Sequence, residues 1–382
     1  MRPPPPITAS TQPASAAAAS NRAIMHAHAT MPSVEQRSRW MIVAPVSVLL
    51  GYALTLLHVP AAWILGAIIV SGASALGTGR ELKLNATFYQ FCRGIIGVIA
   101  ALPLAGVPVQ ELARYLVPGL VSAAVIVGIG FVGGLLLAGY STKHGEGVNR
   151  ETGVLSMLSG GASIMMALAS ELGANMRYVA LTQYLRLLAV SMTLPLVASF
   201  LPAPGDNHAA GIEVTWWMWL LVVAVAIIGK PIASWCHIPV PAVFGPLILT
   251  AIIASLLPAT IAPPEPLAVV AFMSIGWACG GGLSVPALKH FASLLPATIA
   301  FIVVVMGACA GTGWVVAKWL GITYFEGYLA TSPGAIETVL ALSAEGGGGP
   351  AVVALQLIRL ICIVVFAAAL PTILRRMDKR RD

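Results

Sequence analysis

The chain is a succession of long apolar runs joined by short polar segments. Each run holds roughly 17–25 mostly apolar residues, the length that carries an α-helix across bilayer hydrocarbon at about 1.5 Å per residue. Helices are expected near 41–57, 60–76, 88–105, 115–139, 153–171 and 176–199, and again near 214–229, 239–257, 266–283, 291–317, 326–345 and 350–374. The pattern predicts an all-α polytopic membrane protein.

Two of these runs differ from the rest. Segments 153–171 and 326–345 contain a Gly/Pro turn and a carboxylate, Glu171 or Glu337, and the second ends in Gly346 to Gly349. They read either as full crossings or as broken, half-inserted helices. Twelve full crossings put the loop 200–213, which has no Lys or Arg, in the cytoplasm. Five crossings per half sort the charges better. Arg37, Arg39, Arg80, Lys83, Lys143, Arg150, Lys230, Lys289 and the C-terminal cluster then fall inside, and the loops 200–213 and 258–265 fall outside. Arg114, Arg177 and Lys318 are exceptions. An odd number of crossings per half gives the halves opposite orientation, the plan of many secondary transporters. Both termini are then cytoplasmic, with the chain in a bacterial inner membrane.

Composition supports the membrane reading. Of 382 residues, 58% are hydrophobic and 9% charged, with mean hydropathy +0.90. A soluble domain carries about 25% charged residues, so this chain cannot cover an aqueous surface. The net charge of +7 sits in short loops and in the tail Arg375, Arg376, Lys379, Arg380 and Arg381, which argues against direct nucleic-acid binding. Five separate cysteines, Cys92, Cys236, Cys279, Cys309 and Cys362, show no metal-ligand or redox spacing and read as packing residues. Residues 1–36, with the run Pro3 to Pro6, read as a disordered tail without the form of a signal peptide. Met25, Met31 and Met41 are alternative starts.

The halves also match each other. His58-Val-Pro60 with Gly66 returns as His237-Ile-Pro239 with Gly245. Ser159-Gly160-Gly161-Ala162 returns as Ser332-Pro333-Gly334-Ala335, and Gln183-Tyr-Leu-Arg186 as Gln356-Leu-Ile-Arg359. Three matches in one order indicate a duplication: a tail 1–36, membrane repeats 37–205 and 206–376, and a basic tail 377–382.

The segments HVPAAWILG and HIPVPAVFG, the Gly turns and the two QxxR motifs together resemble the bacterial AbrB duplication family of membrane proteins, over roughly residues 40–375. Its members carry the labels AbrB-type regulator or ammonia monooxygenase. The resemblance implies an inner-membrane protein. The first half departs from the family's Pro-Gly-Gly, having Ser159-Gly160-Gly161.

Arg186 and Arg359 fall ~14–15 Å into their spans, near the bilayer midplane. An Arg there costs from ~3 kcal/mol upward unless it meets a cavity or a partner. Gln183 and Gln356 share their helical faces. One reading is a paired site for a carboxylate or phosphate, which guanidinium binds bidentately. The other is a structural Arg held by Glu171, Glu337 or backbone carbonyls. The turns at Gly160, Gly161, Pro333 and Gly334 start short helices whose N-termini suit an anion, or simply permit close packing. Glu337, opposite Ile164 in the repeat, is a candidate proton carrier or a counter-ion to Arg359. His58 and His237 read as interface residues, and Trp216, Trp217 and Trp219 as an aromatic belt. The other histidines do not cluster, and Walker, dinucleotide and nucleophile-elbow motifs are absent. No cofactor, metal or enzymatic activity is expected. The expected partners are lipid, a small anion and, as an option, further copies of the chain. The sequence therefore favours a transporter-like protein that binds a small organic or phosphorylated anion between its repeats. A membrane-embedded regulator acting on gene expression through a partner is the alternative.

Overall fold

The computed structural model describes residues 34–59, 61–104, 107–144, 148–159, 162–202, 215–256, 263–282 and 295–378. The expected tail up to residue 33, the junction near residue 205 and the last four residues lie outside these. The chain divides into two compact units, Met1–Ile42 and Val43–Asp382. Described residues of the first form the opening turns of helix α1 (Val34–Leu56).

The described residues of the second unit are helical, with no strands. After the rest of α1 come α2 (Ala62–Thr78), α3 (Ala86–Ala101), α4 (Val109–Arg114), α5 (Leu116–His144), α6 (Arg150–Met157), α7 (Ala162–Glu171) and α8 (Met176–Ala198). They are followed by α9 (Trp216–Trp235), α10 (Pro241–Leu256), α11 (Glu265–Gly281), α12 (Leu295–Leu320), α13 (Tyr324–Thr331), α14 (Ile336–Glu345) and α15 (Pro350–Asp378). Among the described residues, seven helical stretches are long and apolar enough to cross a membrane: Ser38–Leu56, Ala86–Leu104, Gln110–Gly139, Tyr178–Ala198, Trp216–Trp235, Ile299–Leu320 and Pro350–Leu374. Three shorter apolar helices, α2, α10 and α11, have 16 or 17 residues. Segments 153–171 and 326–345 are each broken into two short helices, α6 with α7 and α13 with α14.

Local chemistry sets the helix starts. Asn85, Asn149 and Asn175 accept from backbone N–H groups at the N-termini of α3, α6 and α8. Thr323 and Glu326 form a capping box at α13. The joints before α2 and α10 share an unusual backbone. His58 and Ala61 have φ of 55° and 60°, and His237 and Val240, each 179 residues later, have 55° and 51°. Left-handed backbone costs an L-residue roughly 1–2 kcal/mol, so the tight turn is imposed by its surroundings in both places. Both histidines are exposed.

The core is built where short helices cross. α2 packs on α11, and α3 packs on α10. A Cβ added at Gly276 of α11 would meet Ile64 O at 2.5 Å and Ile68 N at 3.1 Å, and one at Gly97 of α3 would meet Val243 O and Leu247 N. Each residue of one crossing has its counterpart 179 positions along in the other. Backbone lies against backbone there, a contact that only a residue without a side chain permits. Around these crossings Ile64, Ile95, Val243, Phe244, Ile275, Phe325 and Leu340 form the main apolar core.

Candidate functional site

Two helix breaks meet in this core. Leu158 leaves the helical backbone after α6 (φ −62°, ψ 125°), and Ser332 does so after α13 (φ −62°, ψ 140°). The Ser159 hydroxyl donates to Pro333 O at 3.4 Å, which joins the breaks. Ser159, Pro333 and Gly334 are buried, and Gly334 sits beside Val190 and Leu194 of α8. Gly160 and Gly161 lie outside the described residues.

The Gln and Arg residues singled out by the sequence converge on the ends of α6 and α13. Gln183 Nε2 donates to Leu155 O at 2.7 Å and Leu158 O at 3.0 Å. Arg186 Nη1 donates to Leu158 O at 2.7 Å, and its Nη2 to Gln183 Oε1 at 2.8 Å. On α15, Gln356 Nε2 donates to Leu329 O at 2.8 Å and Ala330 O at 3.3 Å, and Arg359 Nη1 donates to Ser332 O. The last carbonyls of a helix have no partner within it and carry the negative end of its dipole. A break in an apolar core would leave them unsatisfied. Each Gln/Arg pair supplies the donors and the positive charge that the helix end lacks. All four side chains are at most 4% exposed. Some capacity is left over: among the described residues Arg186 Nε, Arg359 Nε and Gln356 Oε1 have no hydrogen-bond partner. Arg186 also feels the like charge of Arg359.

The accepting carbonyls at the two breaks recur at a spacing one residue longer than that of the Gln and Arg pairs. Leu158 corresponds to Ser332 and Leu155 to Leu329, a spacing of 174, whereas the Gln and Arg pairs are 173 apart. Gly173 and Gly347, both in left-handed backbone (φ 66° and 72°), keep the spacing of 174. Gln183 thus stands ten residues after Gly173, and Gln356 nine after Gly347. Glu337 then corresponds to Ser163 rather than Ile164. A further correspondence uses different chemistry on the same backbone donor. Thr152 Oγ1 accepts from Asn175 N at 2.8 Å, and 174 residues on, Glu326 Oε1 accepts from Gly349 N at 2.7 Å.

Glu337 is not the counter-ion of Arg359. Its Oε1 lies 3.4 Å from Nη2 of Arg93 on α3, and the two side chains are 17% and 21% exposed. The Arg93 guanidinium stands 5.8 Å from the Tyr89 ring centroid, a cation–π distance. Glu171, the other acidic candidate, is exposed.

Residues 63–377 match the family described as "Transition state regulatory protein AbrB". The chain belongs to the AbrB family. A protein of Escherichia coli (strain K12) named "Putative regulator AbrB" is 29% identical over 358 residues, which cover 90% of this chain and 99% of that protein. The AbrB match spans both helix breaks and both Gln/Arg pairs.

Sequence reasoning passed over three charged groups. Arg93 lies seven residues into α3, ~10 Å along the helix axis, but the position 179 residues on is Phe272. A search for repeated polar residues therefore cannot find it; a lone Arg inside the apolar run 88–105 was the signal. Glu326 holds Gly349 and Thr323. Glu345, at the end of α14, accepts from Trp63 N at 2.7 Å in the first turn of α2, where a carboxylate meets the positive end of the helix.

Proposed function

We propose that this AbrB-family chain is an integral membrane protein of transporter type that binds a small anion at the helix breaks, between two repeats of opposite orientation. Seven long apolar helices and three shorter ones supply ten crossings, five on each side of the loop near residue 205. The paired turns at His58 and His237 and the reciprocal crossings of α2 with α11 and α3 with α10 support the duplication. An odd number of crossings in each half makes the repeats antiparallel, with both termini in the cytoplasm of a bacterial cell.

The observation that carries the reading is the meeting of two broken helices through Ser159 and Pro333, with Arg186 and Arg359 beside them. Backbone broken at membrane depth is tolerated where protein buries it or where it lines a cavity, and broken helices flank the substrate sites of many transporters. Three arginines around one such place, counting Arg93, suit an anion. Among the described residues no side chain caps the N-terminus of α14, which adds N–H donors of the same sign.

Uptake of labelled succinate or inorganic phosphate into proteoliposomes tests this. Accumulation above that of protein-free vesicles, inhibited by the unlabelled anion, supports the reading. Binding without flux points to the alternative that the relative's name suggests, a membrane-embedded regulator working through a partner. Neither binding nor flux contradicts both.

A further inference from the structure

Among the described residues, the charged pair in the core that breaks the match between the halves is Arg93 with Glu337. Phe272 stands 179 residues after Arg93, and Ser163 stands 174 before Glu337. Arg186 and Arg359 spend their Nη1 groups on carbonyls at under 3 Å or in closer contact. Arg93 is held more loosely. Its nearest carboxylate oxygen is 3.4 Å away, beyond the usual length of a charge-assisted hydrogen bond, about 2.7–2.9 Å. Its Nε is buried and has no partner among the described residues. A guanidinium offers five N–H donors, so most of this one's capacity is unspent. Both members keep some exposure, at 21% and 17%, and so remain reachable. Glu337 is the second residue of α14, at an N-terminus without a side-chain cap among the described residues.

We propose that Arg93 is the residue that holds the anion, and that Glu337 is its built-in competitor, released by taking up a proton. This rests on the anion reading given above. A carboxylate or phosphate oxygen offers Arg93 the chemistry that Glu337 now supplies, with better geometry available because a free anion can turn to the guanidinium fork. The balance is simple. A proton from water adds to the Glu337 carboxylate, its ion pair with Arg93 is lost, and the anion accepts the freed N–H donors. With a monovalent anion the site holds no net charge before or after, and one proton accompanies each anion bound. Glu337 is faced by Arg93 and Tyr89 from α3 and by Cys279 from α11. Of the charged groups on elements packed against α14, Arg186 is engaged on Leu158 O, Arg359 on Ser332 O, and Glu326 on Thr323 and Gly349; Glu265, Arg177, Arg375, Arg376 and Asp378 lie toward the ends of α11, α8 and α15.

The test uses the full chain in detergent, titrated with succinate and separately with inorganic phosphate at about pH 5 and about pH 8, with thermal stabilisation as readout. The wild type should bind one of these about tenfold or more tightly at the lower pH. Arg93→Gln should lose binding at both, and Glu337→Gln should bind equally well at both. Weakly buffered wild-type protein with a pH dye should take up close to one proton per anion bound, which needs no variant to fold. Wild-type-like binding by Arg93→Gln, or a wild-type pH dependence in Glu337→Gln, overturns the proposal while leaving an anion site elsewhere in the core. Failure of both anions to stabilise the wild type at either pH overturns the anion reading itself, and this inference with it.

Discussion

An alanine at Gly276 or Gly97 should destabilise the protein by similar amounts. A Cβ at Gly276 would stand 2.5 Å from Ile64 O and 2.5 Å from Ala67 Cβ. A carbon beside a carbonyl oxygen normally sits at about 3.3–3.6 Å, so α11 must move from α2 by ~1 Å. At Gly97 the obstruction is Val243 O, again backbone and unable to rotate away. Overpacking of this kind costs about 1–3 kcal/mol. Replacing a helical glycine by alanine gains about 0.8–1.0 kcal/mol in helix propensity, which leaves a net loss of up to ~2 kcal/mol. Gly128 on α5 and Gly307 on α12 make matched controls, since nothing among the described residues lies within 4 Å of a Cβ at either. Their alanine variants should be neutral or up to about 1 kcal/mol more stable. Reversible unfolding in mixed detergent micelles measures all four. The reasoning is refuted if Gly276→Ala and Gly97→Ala unfold at the same midpoint as Gly128→Ala and Gly307→Ala.

Three further outcomes follow from particular contacts. Arg359→Met strands Ser332 O, and Arg186→Met leaves Gln183 Oε1 without its donor and Leu158 O with one donor of two; each should cost about 1–3 kcal/mol, read in the same unfolding assay. Glu326→Gln weakens the capping box and the bond to Gly349 N; a loss of about 1–2 kcal/mol is expected, with faster proteolysis between α13 and α15 as an independent check. His58→Gly and His237→Gly relieve left-handed backbone at φ 55° and should each leave stability unchanged or raise it by up to about 1 kcal/mol, measured as a shift in thermal midpoint.

The sequence carried the helices well because a long apolar run has few other fates, and the observed elements fall close to the expected ones. It also located the breaks, since Ser159-Gly-Gly161 and Ser332-Pro333-Gly334 interrupt runs that otherwise continue. The Gln/Arg pairs were visible through their spacing, but their hydrogen-bond partners were not. Leu158 O and Ser332 O are backbone atoms, and no side-chain pattern marks a carbonyl left over at a helix end. The register slip at the turns has a similar cause: identical small residues align with equal ease in two frames, and only hydrogen bonds choose between them. Arg93 was hidden by the search for symmetry. Its partner Glu337 comes from a helix more than two hundred residues away, and neither charge recurs at the spacing of 179 or 174.

The most direct measurement is the change in luminal pH, read with an entrapped pH dye, that follows a jump in succinate or phosphate concentration outside proteoliposomes, recorded for the wild type and for Arg93→Gln. A transport cycle centred on the helix breaks predicts acidification of the lumen in the wild type for at least one of these anions, larger when the outer solution is acidic, and absent in Arg93→Gln. A wild-type trace indistinguishable from that of protein-free liposomes at every pH contradicts it.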